Sequence, residues 1–315
     1  MSSFRKTYLL TPGPTMIPPA VVEARAKQLP HHRTPEFVTL LEKVHERLRP
    51  IFCTNNKVYS LAASGSGAME AAVASLLSPG DTAICIDAGK FGQRWIDICK
   101  RYGINVVTLA VERGAVLAPE ALANALAKHP SAKAVLTQLV ETSTGVKLDI
   151  KGFGEITRKT ETLLVVDAIS GLCAEEYRPD DWGVDVTIAG SQKGFMLPPG
   201  LSFVSLSEKA WRAAEHAKCP CYYLDLRKYR KGQDAGDHPF TPAISLYIEL
   251  DQVLHMIEAE TLEKTWKRHA WLAKATRAAV TALELPLFTN HPSNAVTTVT
   301  VPANLDGGKL VKTLR

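Results

Sequence analysis

The chain has 315 residues, of which 46% are hydrophobic and 22% charged, the balance of a globular protein large enough to bury a substantial core. Its formal net charge of +5, from 37 basic and 32 acidic residues spread along the chain, is too small to argue for nucleic acid, and no apolar run reaches the roughly 18 residues a membrane helix needs. The six cysteines are scattered and form no Cys/His set for a metal, and the start carries no signal-peptide core, so the expectation is a cytoplasmic protein with reduced thiols.

The opening "MSSFRKTYLLTPGP" is read with the residues after it as an N-terminal arm over 1–20. "PEFVTLLEKVHERLRPIF" then places Phe37, Leu40, Leu41, Val44 and Leu48 at helical spacing, with Pro50 expected to end the helix. From there short β-rich runs alternate with amphipathic helical ones: "KVYSLAAS", "GAMEAAVASLL", "TAICIDA", "QRWIDICKRYG", "NVVTLAV", "PEALANALAKH", "AVLTQLV", "FGEITRKT" and "TLLVVDAI". Near-continuous apolar strands such as "TLLVVDA" imply a sheet covered on both faces, so the expected fold is α/β with a mostly parallel, doubly wound sheet in a large domain over 21–250. After about residue 240 the pattern changes: "ISLYIELDQVLHMIEAETLEKTWKRHAWLAKATRAAVTAL" reads as one long helical stretch and "AVTTVTVP" as a strand. Residues 251–315 are expected to hold a linking helix and the start of a smaller C-terminal α+β domain, which looks truncated where "GGKLVKTLR" opens a helix.

The most unusual window is "TIAGSQKGFMLPPG", where Lys193 stands without another charged group between Thr187 and Pro199. An amine that loses water and positive neighbours has its pKa lowered, and a neutral amine can attack a carbonyl; a solvated loop lysine is the plainer alternative. In "AASGSGAMEAAV", Ser64, Gly65, Ser66 and Gly67 lie between a strand and a helix, where small residues let N–H groups reach an anion. That stretch reads as a phosphate cradle or, equally, as a tight turn. Asp167 ends the buried strand "LLVVDA", where a carboxylate can face a ligand nitrogen or simply cap the next helix. Phe91 in "DAGKFGQRW" can stack on a flat ligand or pack in the core, and Thr142 in "LVETSTGV" offers a hydroxyl or ordinary turn chemistry. A phosphate cradle, a stacking ring, hydroxyls, a carboxylate and a lysine together match what pyridoxal phosphate asks of a protein.

With "LLTPGPT", "HRTPEF", "SGSGAMEA", "KFGQRW", "ETSTGV", "VVDAISGL", "GSQKGFMLPPG" and "FTPAISLY" in this order, the chain resembles the class V (fold-type I) aminotransferases, in particular the alanine–glyoxylate and serine–pyruvate branch. The resemblance implies Lys193 as the Schiff-base lysine, Asp167 as partner of the pyridinium nitrogen and Phe91 as the stacking residue. It further implies Ser64, Gly65, Ser66 and Gln192 at the phosphate, Thr142 near the phenolic oxygen and Ile169 under the ring. In that family the segment matching "DHPFTPAI" crosses a dimer interface, so a homodimer with shared sites is implied, with His238 and Thr241 serving the neighbour's phosphate. Where the branch often has tryptophan or tyrosine, this chain has Phe91 and His238. The family's substrate-carboxylate arginine belongs to a C-terminal domain beyond where this sequence stops, and no residue here takes that role. The implied activity is transamination of alanine or serine with a 2-oxo acid such as glyoxylate or pyruvate. The alternatives are a lyase or desulfurase using the same cofactor, or a non-catalytic subunit on this fold. Desulfurases usually carry histidines where this chain has Gln192 and Phe91, which favours transamination.

Overall fold

Nine strands alternate with helices along the chain among the described residues, 8–26 and 28–313 of a computed structural model; the first seven residues of the expected arm lie outside them. The strands are β1 Val58–Leu61, β2 Thr82–Asp87, β3 Asn105–Ala110, β4 Ala134–Gln138, β5 Val140–Glu141, β6 Val146–Lys147, β7 Leu163–Asp167, β8 Val186–Gly190 and β9 Ser202–Leu206. Seven of them form one sheet in the order β1-β9-β8-β7-β4-β2-β3, while β5 and β6 pair as a short hairpin. The run from β8 to β3 is parallel, and β9 alone runs against both its neighbours, so β1 points the same way as the parallel set. The expected mostly parallel, doubly wound architecture is the one observed.

The continuous apolar runs explain the layering. Every residue of β4, β7 and β8 is buried, because helices cover both faces of the sheet. Along β7, Leu164 and Val166 join a core with Phe37, Leu41, Val44 and Leu250, whereas Leu163 and Val165 join a second core with Met69, Val73, Trp95 and Trp211. The period-two alternation of strand side chains therefore feeds two cores from one strand.

Three expectations need correction. The helix Pro35–Ile51 runs one residue past Pro50, which sits inside its last turn. The long helical reading is two helices, Ile244–Glu260 and Leu262–Ala282, broken at Thr261. Thr261 takes a φ of +70°, closes the first helix with its N–H on the Ile257 carbonyl, and its hydroxyl accepts from the Lys264 N–H of the second. The run "AVTTVTVP" forms no strand ladder: it keeps only an isolated bridge between Leu287 and Val299, and Thr298 instead donates to the Thr144 carbonyl. A lone two-stranded pairing is weak without more sheet beside it.

Candidate active site

The strands β1, β2, β4, β7 and β8 point the same way, so their carboxyl ends share one edge of the sheet, and most of the residues singled out by sequence lie at that edge or just beyond it. Asp167 is the last residue of β7, in register with Gln138 on β4 and Ile188 on β8. It is 5% exposed, and its Oδ1 accepts a hydrogen bond of 2.8 Å from the Ile169 N–H. Burial pushes its pKa up to about 7; the Ile169 amide opposes this, the charge of Glu141 adds to it, and Arg94 and Lys193 pull it back down.

Lys193 stands three residues past the end of β8, in a turn locked by Ser191, whose Oγ donates to the Pro198 carbonyl and accepts from the Leu201 N–H. The lysine is half-buried, and its Nζ donates to the Pro12 carbonyl at 2.5 Å. Burial lowers its pKa, with the Asp167 charge working against that shift. The N-terminal segment is pinned here by Thr15, whose N–H donates to the Gln192 carbonyl and whose Oγ1 donates to that of Lys193, each at 3.1 Å. Gly13 has a φ of +139°, a backbone conformation that calls for glycine, and a Cβ there would press on the Lys193 side chain, 2.7 Å from its Nζ.

The helix Gly65–Leu76 starts at the end of β1 with Ser64 at its N-cap, and the Ser64 hydroxyl makes no capping bond. A Cβ on Gly65 would lie 2.3 Å from the Ile169 Cδ1, so glycine here lets the Ile169 side chain close against the turn. Ser66 Oγ accepts from Arg94 Nη1 at 2.8 Å, and the Arg94 guanidinium lies 4.8 Å over the Phe91 ring. Gln192 Oε1 is buried without a partner. These groups line one cavity of about 290 Å³, together with Gly13, Pro14, Ser170 and Pro199.

The fold thus brings Ser64, Gly65, Ser66, Phe91, Asp167, Ile169, Gln192 and Lys193 to a single cavity. Thr142 stands just behind it, its hydroxyl 2.6 Å from that of Ser170. His238 and Thr241 are elsewhere in this chain. His238 bonds Tyr247 and Gln233 in a buried network that also holds Ser60 and His45, and burial brings its pKa down to about 4. Thr241 is exposed ahead of the helix Ile244–Glu260, whose N-cap residue is Ala243, so it is not that helix's cap.

Two residues escaped the sequence reading. Arg94 sits inside the quoted "KFGQRW" and lines the cavity. Glu141 is fully buried and accepts hydrogen bonds from Phe91, Gly92, Gln138 and Ser143. A signal for Glu141 existed: the helix Lys90–Arg101 starts after a glycine with no acid in its first turn, so its N–H groups need an acceptor from elsewhere. A further cavity of about 480 Å³ adjoins Lys193 on the side of Glu260, Arg268 and His269, where Arg268 is already paired with Glu260 through Nε–Oε1 at 2.5 Å and Nη2–Oε2 at 2.9 Å. Among the described residues no cluster of His, Cys, Asp or Glu could hold a metal, and no helix is long and apolar enough to cross a membrane.

Comparison with known proteins gives a consistent set of likenesses. The family model "Aminotransferase class-V" matches residues 7–315. The soluble hydrogenase 42 kDa subunit of Anabaena cylindrica is 42% identical, over 94% of this chain and 79% of that protein. The serine–glyoxylate aminotransferase of Methylorubrum extorquens is 34% identical, over 98% of this chain and 80% of that protein. Among solved structures, an alanine–glyoxylate aminotransferase from Nostoc sp. superposes with a TM-score of 0.94 at 31% identity, over 99% of this chain and 84% of that one.

Proposed function

The chain belongs to the class-V aminotransferase family, and from that premise we propose that it moves the amino group of a small amino acid, alanine or serine, to a 2-oxo acid such as glyoxylate or pyruvate. The observation that carries this reading is the cavity in which a half-buried lysine amine and a buried carboxylate, Lys193 and Asp167, meet an open helix N-terminus at Ser64–Ser66. That donor set fits pyridoxal phosphate. The first turn of a helix presents unsatisfied N–H groups, and the hydroxyls of Ser64 and Ser66 add donors for a phosphate. Gln192 also lines the cavity; its Oε1 is a buried acceptor without a partner, and its NH₂ is the end that could donate to a phosphate.

The cofactor, when bound, supplies an aldehyde that takes an amine and a ring that accepts electrons from the substrate's α-carbon. The protein's part is binding, orientation and proton handling. Lys193 would be the residue that carries the cofactor and then the base that takes the α-proton at Nζ, a role for which burial favours the neutral amine. Asp167, held by the Ile169 amide, would keep a proton on the ring nitrogen. Phe91 and Ile169 would hold the ring and keep water from it, and Thr142 would act near the phenolic oxygen alongside its partner Ser170. Thr241, exposed and capping nothing, would serve the phosphate of a second subunit in a homodimer, with His238 close to it in sequence. We place the enzyme in the cytoplasm.

Borohydride reduction of the cofactor-loaded protein followed by peptide mapping tests the central assignment: the label should be on Lys193, and a label on another lysine would overturn it. The likeness to a protein named as a hydrogenase subunit supports a second reading, a non-catalytic subunit on the same fold. An absorbance scan separates the two, because only an enzyme should carry a visible cofactor band that added alanine or serine bleaches.

A further inference from the structure

The helix Lys90–Arg101 begins without the devices that usually start one. Its N-cap position is Gly89, its first turn holds no acid, and no side chain of its own caps it. The missing acceptors come from the β5–β6 hairpin. Glu141 Oε2 accepts from the N–H groups of Phe91 at 3.0 Å and Gly92 at 3.1 Å. The Lys90 N–H donates to Ser143 Oγ at 3.1 Å, and that hydroxyl donates in turn to Glu141 Oε1 at 2.6 Å. Gln138 Nε2 and the Ser143 N–H, both at 3.1 Å, complete five donors around one buried carboxylate. Two glycines make the approach possible: a Cβ on Gly89 would lie 2.3 Å from Glu141 Cδ, and one on Gly92 would lie 2.5 Å from the Ile86 carbonyl oxygen.

This helix end carries two walls of the cavity. Phe91 is the second residue of the helix, and Arg94, one turn on, lies over the Phe91 ring and holds Ser66 through its Nη1. Whatever fixes the first turn therefore fixes the stacking ring and, through Arg94, one hydroxyl of the phosphate cradle. A carboxylate acceptor suits the place because all five of its hydrogen-bond partners are donors and a helix N-terminus favours an anion. The amide of a glutamine would have to turn its NH₂ toward donors on one side or the other.

We propose that Glu141 is a positioning residue for transamination, capping this helix from outside and thereby setting the Phe91 ring and the Arg94–Ser66 bond against the cofactor. The proposal rests on the reading of the cavity as a pyridoxal phosphate site. It is tested with Glu141→Gln, Phe91→Leu and the double variant, each as purified cofactor-loaded enzyme, by the visible circular dichroism of the bound cofactor and by kcat and KM measured separately. Glu141→Gln should keep its cofactor, change the dichroic band, and lower kcat about 10- to 100-fold with little change in KM, since a small misplacement of a positioned group costs that much. In the Phe91→Leu background the further loss should be smaller, leaving only the part carried through the Arg94–Ser66 bond, because coupled residues are not additive. Equal losses in both backgrounds, or an unchanged dichroic band, would overturn the proposal. Should Glu141→Gln not fold, Ser143→Ala decides instead: it removes one exposed donor from the carboxylate and should move the same band and kcat in the same direction by less, whereas no movement overturns the proposal. A wild-type protein with no cofactor band at all would sink the underlying cofactor reading, a different result from any of these.

Discussion

Replacing Asp167 by asparagine should make the cofactor-free protein more stable while disabling the enzyme. The carboxyl is 5% exposed, and burial, its largest perturbation, moves its pKa from the ordinary 3.8 to about 7. The sign follows from proton binding: between those two values the folded state holds a proton that the unfolded chain has released, so stability falls as pH rises through the window and levels off above about 7. At about 1.4 kcal/mol per pH unit over roughly three units, the burden on the native state is at most about 4 kcal/mol at pH 8. Asparagine keeps an oxygen for the Ile169 N–H and never ionises. Urea unfolding of cofactor-free wild type and Asp167→Asn should therefore show the variant ahead by an amount that grows by about 1.4 kcal/mol per unit from about pH 5 to about pH 7. Groups that titrate identically in both proteins cancel from the difference. If Asp167 has the role proposed for it, turnover should fall by at least about a hundredfold, because a neutral amide would stand where a carboxylate is proposed to pair with the ring nitrogen and could not hold its proton. A variant that is less stable than wild type at pH 8, or a stability difference that ignores pH, would refute the reasoning, and near-normal turnover would reduce Asp167 to a local cap.

Gly154→Ala should cost about 3 kcal/mol or more in unfolding free energy, since the new methyl would sit 1.6 Å from the Trp182 carbonyl oxygen and the gain in helix propensity is only about 1 kcal/mol; a urea midpoint within error of wild type would contradict this. His45 is buried 2.9 Å from Ser60 Oγ, and its pKa is lowered to about 3, first by burial and then by the charges of His238 and Lys57. The unfolded chain therefore takes up a proton below about pH 6.5 that the native state refuses, and His45→Gln should flatten the acid loss of stability, by about 1.4 kcal/mol per unit, relative to wild type. Thr241→Ala should leave the fold intact and weaken pyridoxal phosphate binding only where the protein is dimeric, seen as cofactor affinity that no longer rises with protein concentration; a fully active, cofactor-saturated monomer would end the shared-site reading.

The α/β class, and the residues that come together in the candidate cavity, were largely legible in the sequence because they depend on local chemistry. A continuous apolar run such as β7 has no solvent face, so it implies helices on both sides of the sheet, and the small residues Ser64–Gly67 before a helix imply an open, donor-rich turn. The isolated charge of Lys193 announced itself in the same way. What only the tertiary structure decided are the long-range pairings. Glu141 lies 49 residues beyond the Gly92 amide it accepts from, and Lys193 lies 181 residues from the Pro12 carbonyl that holds its amine. The same holds for the break at Thr261, where one positive φ turned an unbroken helical pattern into two helices, and for "AVTTVTVP", whose β-type composition had only one bridge partner. Periodicity records which face of an element is buried, but a hydrogen bond between distant segments leaves no period, and only the packed chain shows which donor an acceptor meets.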